Sequence, residues 1–130
     1  QPNWGYDNGT TALRIRASPS AATPREPRVA GADSNPYLAI AALLAGILMG
    51  LEKGLTAPDP ISGNAWTDDM DNDFLPSHMA DAIHRFSRSP AVEAYLSEPF
   101  QRAFTELKQQ ELMEFERRVT HFELETYLSA

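Results

Sequence analysis

The run from Leu38 to Leu51, LAIAALLAGILMGL, contains neither a charge nor a strongly polar side chain. A helix built from it has no face suited to water, so the run predicts a central helix buried on every side. Its start is marked locally. Asn35 can accept hydrogen bonds from the first free backbone N–H groups, and Pro36 at the first helical position needs no donor and already has a helical φ. A bilayer span needs about 20 apolar residues. This run falls short and is closed by Glu52-Lys53-Gly54, so no membrane partner is expected. Gly46 and Gly50, one turn apart, suit a crowded soluble core.

A chain of 130 residues makes one domain with one core. A net charge of −7 with no dense Lys/Arg block excludes a nucleic-acid backbone as partner. The chain has no cysteine, which removes disulfides, thiolate metal sites and thiol nucleophiles. The N-terminus QPNWGYDNGT is polar and has no basic segment followed by an apolar one, so it is no signal peptide. Both features point to the cytoplasm. The chain also begins without Met, and its one all-apolar helix lacks a second packing layer, which suggests a piece of a larger protein.

Thr11–Ile15 (TALRI) alternates polar and apolar residues and predicts a short strand with Arg14 opposite Leu13 and Ile15. ASPSAATPREP then reads as a loop, and Arg28-Val29 as a second short strand. Residues 56–73, with Pro58, Pro60, Gly63 and an acidic run, predict a long surface loop. Ser77 is expected to cap a helix over His78–Phe86, and Ser89-Pro90 to start another ending at Leu96. A longer helix is expected from Glu98 to Arg118, its stripe of Phe100, Phe104, Leu107, Leu112, Phe115 and Val119 packing onto the body of the protein. The terminal HFELETYLSA is expected to dock. The architecture is thus α+β and mainly helical, with two short strands, one buried apolar helix and C-terminal amphipathic helices.

The alternation Asp69-Met-Asp71-Asn-Asp73 imitates a calcium loop, but Phe74 stands where the turn needs Gly and Ala80 where the bidentate carboxylate belongs. His78, His84 and His121 lack zinc-motif spacing. There is no phosphate-binding P-loop, dinucleotide Gly fingerprint or Gly-x-Ser-x-Gly elbow. What remains is Arg14, Arg16, Arg25, Glu26 and Arg28 around the strands and the helix start. Guanidinium forks bind phosphate oxygens and a carboxylate can hold Mg²⁺, so the group suits phosphoryl transfer. Plain charges on a strand edge would give the same pattern.

NWGYDN and TTALRI, then E-x-R-V-A-G-A-D-S-N-P-Y-L, the GLT-P-P closure and the terminal RRVTHFELETYL resemble, in that order, the C-terminal part of the glutamine synthetase catalytic domain. The opening and the ending are most similar to the branch that joins glutamate to amines or polyamines, the γ-glutamylpolyamine synthetase type. The resemblance implies an ATP-dependent ligase. Glutamate's γ-carboxylate is phosphorylated and then attacked by ammonia or an amine, with Mg²⁺ or Mn²⁺ bridging nucleotide and protein. Catalysis in such a site is mainly positioning and charge stabilisation. By the same resemblance Glu26 matches a metal ligand, Arg28 the catalytic arginine that contacts glutamate and the transferring phosphoryl group, and Arg14 an arginine on the ATP phosphates.

Three positions depart from the family pattern. The family reads Asn-Arg where this chain has Asn8-Gly9, and losing such a preorganised charge costs on the order of 10²-fold in rate. Arg16 replaces the proline of R-I-P, and Pro24 replaces an arginine two residues before Glu26. Arg25, one place along an extended segment, points to the opposite face. The family's upstream strands, its N-terminal β-grasp domain and its other metal carboxylates are not among residues 1–130, and its sites form between subunits of a homo-oligomeric ring. The resemblance therefore implies a chain inactive alone. A non-catalytic helical module for assembly or interaction, derived from the same fold, is the alternative.

Overall fold

A computed structural model of the chain describes residues 3–17, 23–67 and 74–128. These fall into two compact units, divided between Leu75 and Pro76.

The first unit begins with a three-stranded sheet of β1 (Trp4–Tyr6), β2 (Leu13–Ile15) and β3 (Arg25–Pro27) in that order. β1 runs parallel to β2 and β3 antiparallel to it. A parallel pair usually needs a crossover of a dozen or more residues. Residues 7–12 suffice here because the strands are so short and Asp7 turns the chain with a φ of 48°. The ladder extends past the strand ends, since Leu13 N–H donates to Asn3 O (3.0 Å) and Asp7 N–H to Ile15 O (2.9 Å).

The sheet has three strands rather than the expected two. WGY is too short to show alternation, and its central glycine is unfavourable in strands. The strand expected at Arg28-Val29 lies at Arg25–Pro27 instead. Pro27 is tolerated because β3 is an edge strand, and Arg28 N–H still donates to Ala12 O at 2.8 Å.

Helix α1 (Pro36–Glu52) starts where the sequence places it. Asn35 Oδ1 accepts from Tyr37 N–H (3.0 Å) and Leu38 N–H (3.3 Å). Its far end is a Schellman motif: Leu55 N–H donates to Gly50 O (2.9 Å) and Gly54 N–H to Leu51 O (3.3 Å). Gly54 takes the left-handed φ of 57° that this motif requires. The expectation of a buried helix fails for the chain by itself. No α1 residue is buried, and Ile40, Leu44, Ile47 and Leu51 are all exposed. The described residues supply no second layer to cover it. Among them no helix is long and apolar enough to cross a membrane.

The second unit holds α2 (Met79–Ser87), α3 (Pro90–Leu96), α4 (Glu98–Glu116) and α5 (His121–Tyr127), with α2 and α3 packed on α4. Its centre is an aromatic cluster. Phe86 lies 6.4 Å from Phe100 and 5.1 Å from Phe104 between ring centroids, and Phe100 stacks on Phe104 at 5.6 Å. The most buried position of α4 is polar. Gln101 is 6% exposed, and its Nε2 donates to Phe86 O (2.7 Å) and Ser89 O (3.0 Å). It thereby adds a side-chain donor to a carbonyl in the last turn of α2 that also accepts from Ser89 N–H (3.2 Å).

Several boundaries differ from expectation. His78 rather than Ser77 is the N-cap of α2, with no side-chain bond, and α4 ends at Glu116. The stripe on α4 packs only in its first half, for Leu107, Phe115 and Val119 are exposed. Nor does the terminus dock, since Phe122, Tyr127 and Leu128 remain exposed. What orders α5 is a capping box between Thr120 and Glu123.

Candidate functional site

Register brings the first candidate pair together. Arg14, on the central strand, is paired with Gly5 on one side and Glu26 on the other. Directly opposed residues of a sheet share a face, and Arg14 Nη1 lies 3.6 Å from Glu26 Oε2. The other oxygen of that carboxylate is 3.7 Å from Arg16 Nη1, while Arg14 Nη2 lies 3.8 Å from Asp7 Oδ1. These separations exceed hydrogen-bond length, so the four groups form a loose ion-pair cluster with no net charge. Arg14 Nε is buried and has no hydrogen-bond partner among the described residues.

A divalent cation does not fit this cluster by itself. Mg²⁺ or Mn²⁺ takes about six oxygen or nitrogen ligands, some of them water. Glu26 offers one carboxylate flanked by two guanidinium groups. Among the described residues no three His, Cys, Asp or Glu side chains converge. The acidic run Asp69–Asp73 lies outside the described residues.

Arg28 stands apart from the cluster. With Asn3, Gly9, Thr10, Ala65 and Trp66 it borders a recess of about 540 Å³, within the range of small-ligand sites. Trp66 is 82% exposed at this recess. At Gly9 a Cβ atom would meet nothing within 4 Å, so the position can hold a long side chain.

The loop after α1 is fastened to the sheet. Ile61 N–H donates to Trp4 O (2.9 Å), Trp4 Nε1 to Pro58 O (2.7 Å) and Ala65 N–H to Thr10 Oγ1 (2.9 Å). Asn8 Nδ2 donates to Ile61 O (3.2 Å) and Gly63 O (2.8 Å). Gly5 makes this approach feasible, because a Cβ there would lie 2.7 Å from Ile61 O. Asn8 and Thr10 were not singled out by sequence reasoning. The only signal was a short polar N-G-T-T run beside a strand, and its partners lie 53 to 55 residues away.

The candidate residues thus separate into a charged cluster on β2 and β3, containing Arg14 and Glu26, and a recess bordered by Arg28. Comparison with known proteins gives this arrangement a context. The family model described as glutamine synthetase, catalytic domain, matches residues 1–127. The gamma-glutamylputrescine synthetase PuuA of Escherichia coli K12 is 38% identical over 128 residues, covering 98% of this chain and 27% of that protein. The type-1 glutamine synthetase 2 of Dictyostelium discoideum is 39% identical over 132 residues, covering 98% and 25%. The solved structure of apo GmaS without ligand superposes with a TM-score of 0.83 at 25% identity, covering 98% of this chain and 30% of that one. The chain spans about a quarter of the length of the curated relatives it matches.

Proposed function

The chain belongs to the glutamine synthetase family, matching its catalytic domain, and on that premise we propose that it supplies the C-terminal part of the catalytic domain of an ATP-dependent ligase. The reaction joins glutamate's γ-carboxylate to ammonia or an amine through a γ-glutamyl phosphate. The similarity to gamma-glutamylputrescine synthetase supports an amine or polyamine as the nitrogen donor. The observation that carries the reading is the Arg14–Glu26 pairing on adjacent strands, with Arg28 following on the segment that leads to α1.

In this reading Arg14 contacts ATP phosphates through its guanidinium. Arg28 holds glutamate at the recess and offsets charge on the transferring phosphoryl group. Glu26 would supply one oxygen toward a Mg²⁺ or Mn²⁺ ion, with the other ligands coming from residues outside this chain, and such an ion would supply positive charge against the phosphates. The β-grasp domain, the remaining carboxylates and the neighbouring subunits of a ring belong to a longer cytoplasmic ligase, so residues 1–130 alone turn over no substrate.

A second reading, a non-catalytic module that assembles with another protein, is favoured by the exposed apolar surface of α1 and by Gly9 in place of an arginine. One titration separates the two. Saturable Mg-ATP binding by the folded chain, measured by isothermal calorimetry and lost in Arg14→Ala and Glu26→Ala, is expected from the ligase reading. A folded chain that binds no nucleotide would overturn the ligand-bearing role and leave the assembly module. Phosphate release with ATP, glutamate and putrescine is expected to stay at background throughout.

A further inference from the structure

Asn8 uses every hydrogen-bonding position it has. A side-chain amide offers two donors and an acceptor oxygen with two lone pairs. Its Nδ2 donates to Ile61 O and Gly63 O, while Oδ1 accepts from Thr10 N–H (3.0 Å) and from Thr10 Oγ1 (2.7 Å). The Thr10 hydroxyl oxygen in turn accepts from Ala65 N–H (2.9 Å). A continuous polar chain therefore runs from the loop carbonyls through Asn8 and Thr10 back to the loop at Ala65, which is 3% exposed.

The Thr10–Ala65 end of this chain reaches the recess. Gly9, Thr10, Ala65 and Trp66 border it together with Arg28, from three segments separated in sequence. A backbone bond from Ile61 N–H to Trp4 O ties the loop to the sheet, and in a local turn Asn64 Oδ1 accepts from Trp66 N–H (3.1 Å). The bonds of Asn8 and Thr10 fix that turn against β1 and the following residues. The geometry points to Asn8 as a positioning residue. It clamps residues 61–66 onto β1 and the following turn, and so holds Trp66 as a wall of the recess bordered by Arg28. That the recess takes glutamate rests on the ligase reading above; the clamp itself does not.

Three variants of the 130-residue chain test the inference by amide hydrogen exchange, with α4 amides as the internal control of folding. Asn8→Ala removes the whole amide. Asn8→Asp keeps its shape but replaces both donors by an acceptor facing two carbonyls. Thr10→Val removes the bond from Ala65 and the hydroxyl's own bond to Asn8 Oδ1, but leaves both amide donors of Asn8 on the loop carbonyls. Exchange at Ile61 and Ala65 is expected to speed about tenfold or more in both Asn8 variants, but only at Ala65 in Thr10→Val. L-Glutamate is then titrated against Trp66 emission, with Trp66→Phe as the blank, and half-saturation is expected to rise about tenfold in Asn8→Ala.

Unchanged exchange in both Asn8 variants overturns the clamp. Faster exchange with an unchanged glutamate response overturns the positioning role and leaves a structural one. If the parent chain gives no glutamate response, the ligase reading fails for this recess. The clamp is then decided by exchange together with the ligand-free Trp66 emission, which must differ between the parent chain and Asn8→Ala.

Discussion

Arg14 and Glu26 face one another across the β2–β3 ladder with 3.6 Å between Nη1 and Oε2, and Arg16 holds the other oxygen of the same carboxylate at 3.7 Å. One carboxylate is thus shared by two cations. Partly exposed pairs of this kind contribute only about 0–1 kcal/mol each, so the cluster is a weak device for stability. Arg14→Ala is expected to lower unfolding free energy by less than about 1 kcal/mol in a urea titration. It should also weaken Mg-ATP binding by about tenfold or more, the loss of a charge-assisted phosphate contact. A large stability loss with unchanged nucleotide binding would make the cluster purely structural.

Gly5 and Gly9 are predicted to respond oppositely to substitution. A Cβ at Gly5 meets Ile61 O at 2.7 Å and Asn8 Cβ at 3.0 Å, both held in place by hydrogen bonds. Gly5→Ala should cost about 1–3 kcal/mol, as overpacking of a filled site does. A Cβ at Gly9 meets nothing. Gly9→Arg should stay within about 0.5 kcal/mol while placing a guanidinium at the recess, and calorimetry should show tighter glutamate binding. Destabilisation by Gly9→Arg equal to that of Gly5→Ala would refute the contrast.

Gln101 tests the second unit. Its amide serves carbonyls of Phe86 and Ser89 from a buried position. Gln101→Ala removes two hydrogen bonds whose acceptors keep backbone donors, Ser89 N–H on Phe86 O and Glu93 N–H on Ser89 O, so the cost is about 0.5–1.5 kcal/mol per bond lost. The midpoint of urea unfolding followed by helical circular dichroism should fall accordingly. Gln101→Glu, which cannot donate when ionised, should fall as far; a variant as stable as the parent would show that water replaces the amide.

What could be read from sequence here was local. Asn35-Pro36, Ser89-Pro90 and the Gly54 stop act within one helical turn, and the structure has all three where the residue pattern puts them. Arg14 and Glu26 were both candidates, yet their pairing depends on a register that three-residue strands do not announce. β3 proved to lie three residues before its expected place. The clamp at Asn8 was invisible because its partners follow an intervening helix. α1 shows the opposite failure. Its composition demands burial, while the described residues do not provide it.

The capping box of α5 carries a pH dependence of fixed sign. The Thr120 backbone N–H, and then its hydroxyl, donate to Glu123 Oε2 at 2.7 and 2.8 Å, and they hold the carboxyl below its usual value of 4.5. A depressed carboxylate pKa stabilises the folded form above the unfolded value, and the benefit is lost as pH falls through the folded one. Residues 121–127 should therefore fray as pH drops below about 4.5. An NMR titration of Glu123 should show its pKa rising toward 4.5 in Thr120→Ala. A midpoint at or above 4.5 in the parent chain would remove the box from solution.

The exposed surface of α1 has consequences of its own. Ile40, Leu44, Ile47 and Leu51 recur at helical spacing, and none is buried. Contiguous apolar patches larger than a few hundred Å² are rare on soluble monomers and drive association. The 130-residue chain is therefore expected to bind a hydrophobic dye and to sediment with a mass that rises with concentration. Ile40→Glu with Leu44→Lys puts an i,i+4 ion pair on that surface with residues that favour helix. Because no buried contact is lost, far-ultraviolet circular dichroism should be unchanged while dye binding and self-association both decrease. Loss of helix in this double variant would mean that α1 is packed in solution after all, and association undiminished by it would place the sticky surface elsewhere, on the exposed side chains of α4 or α5.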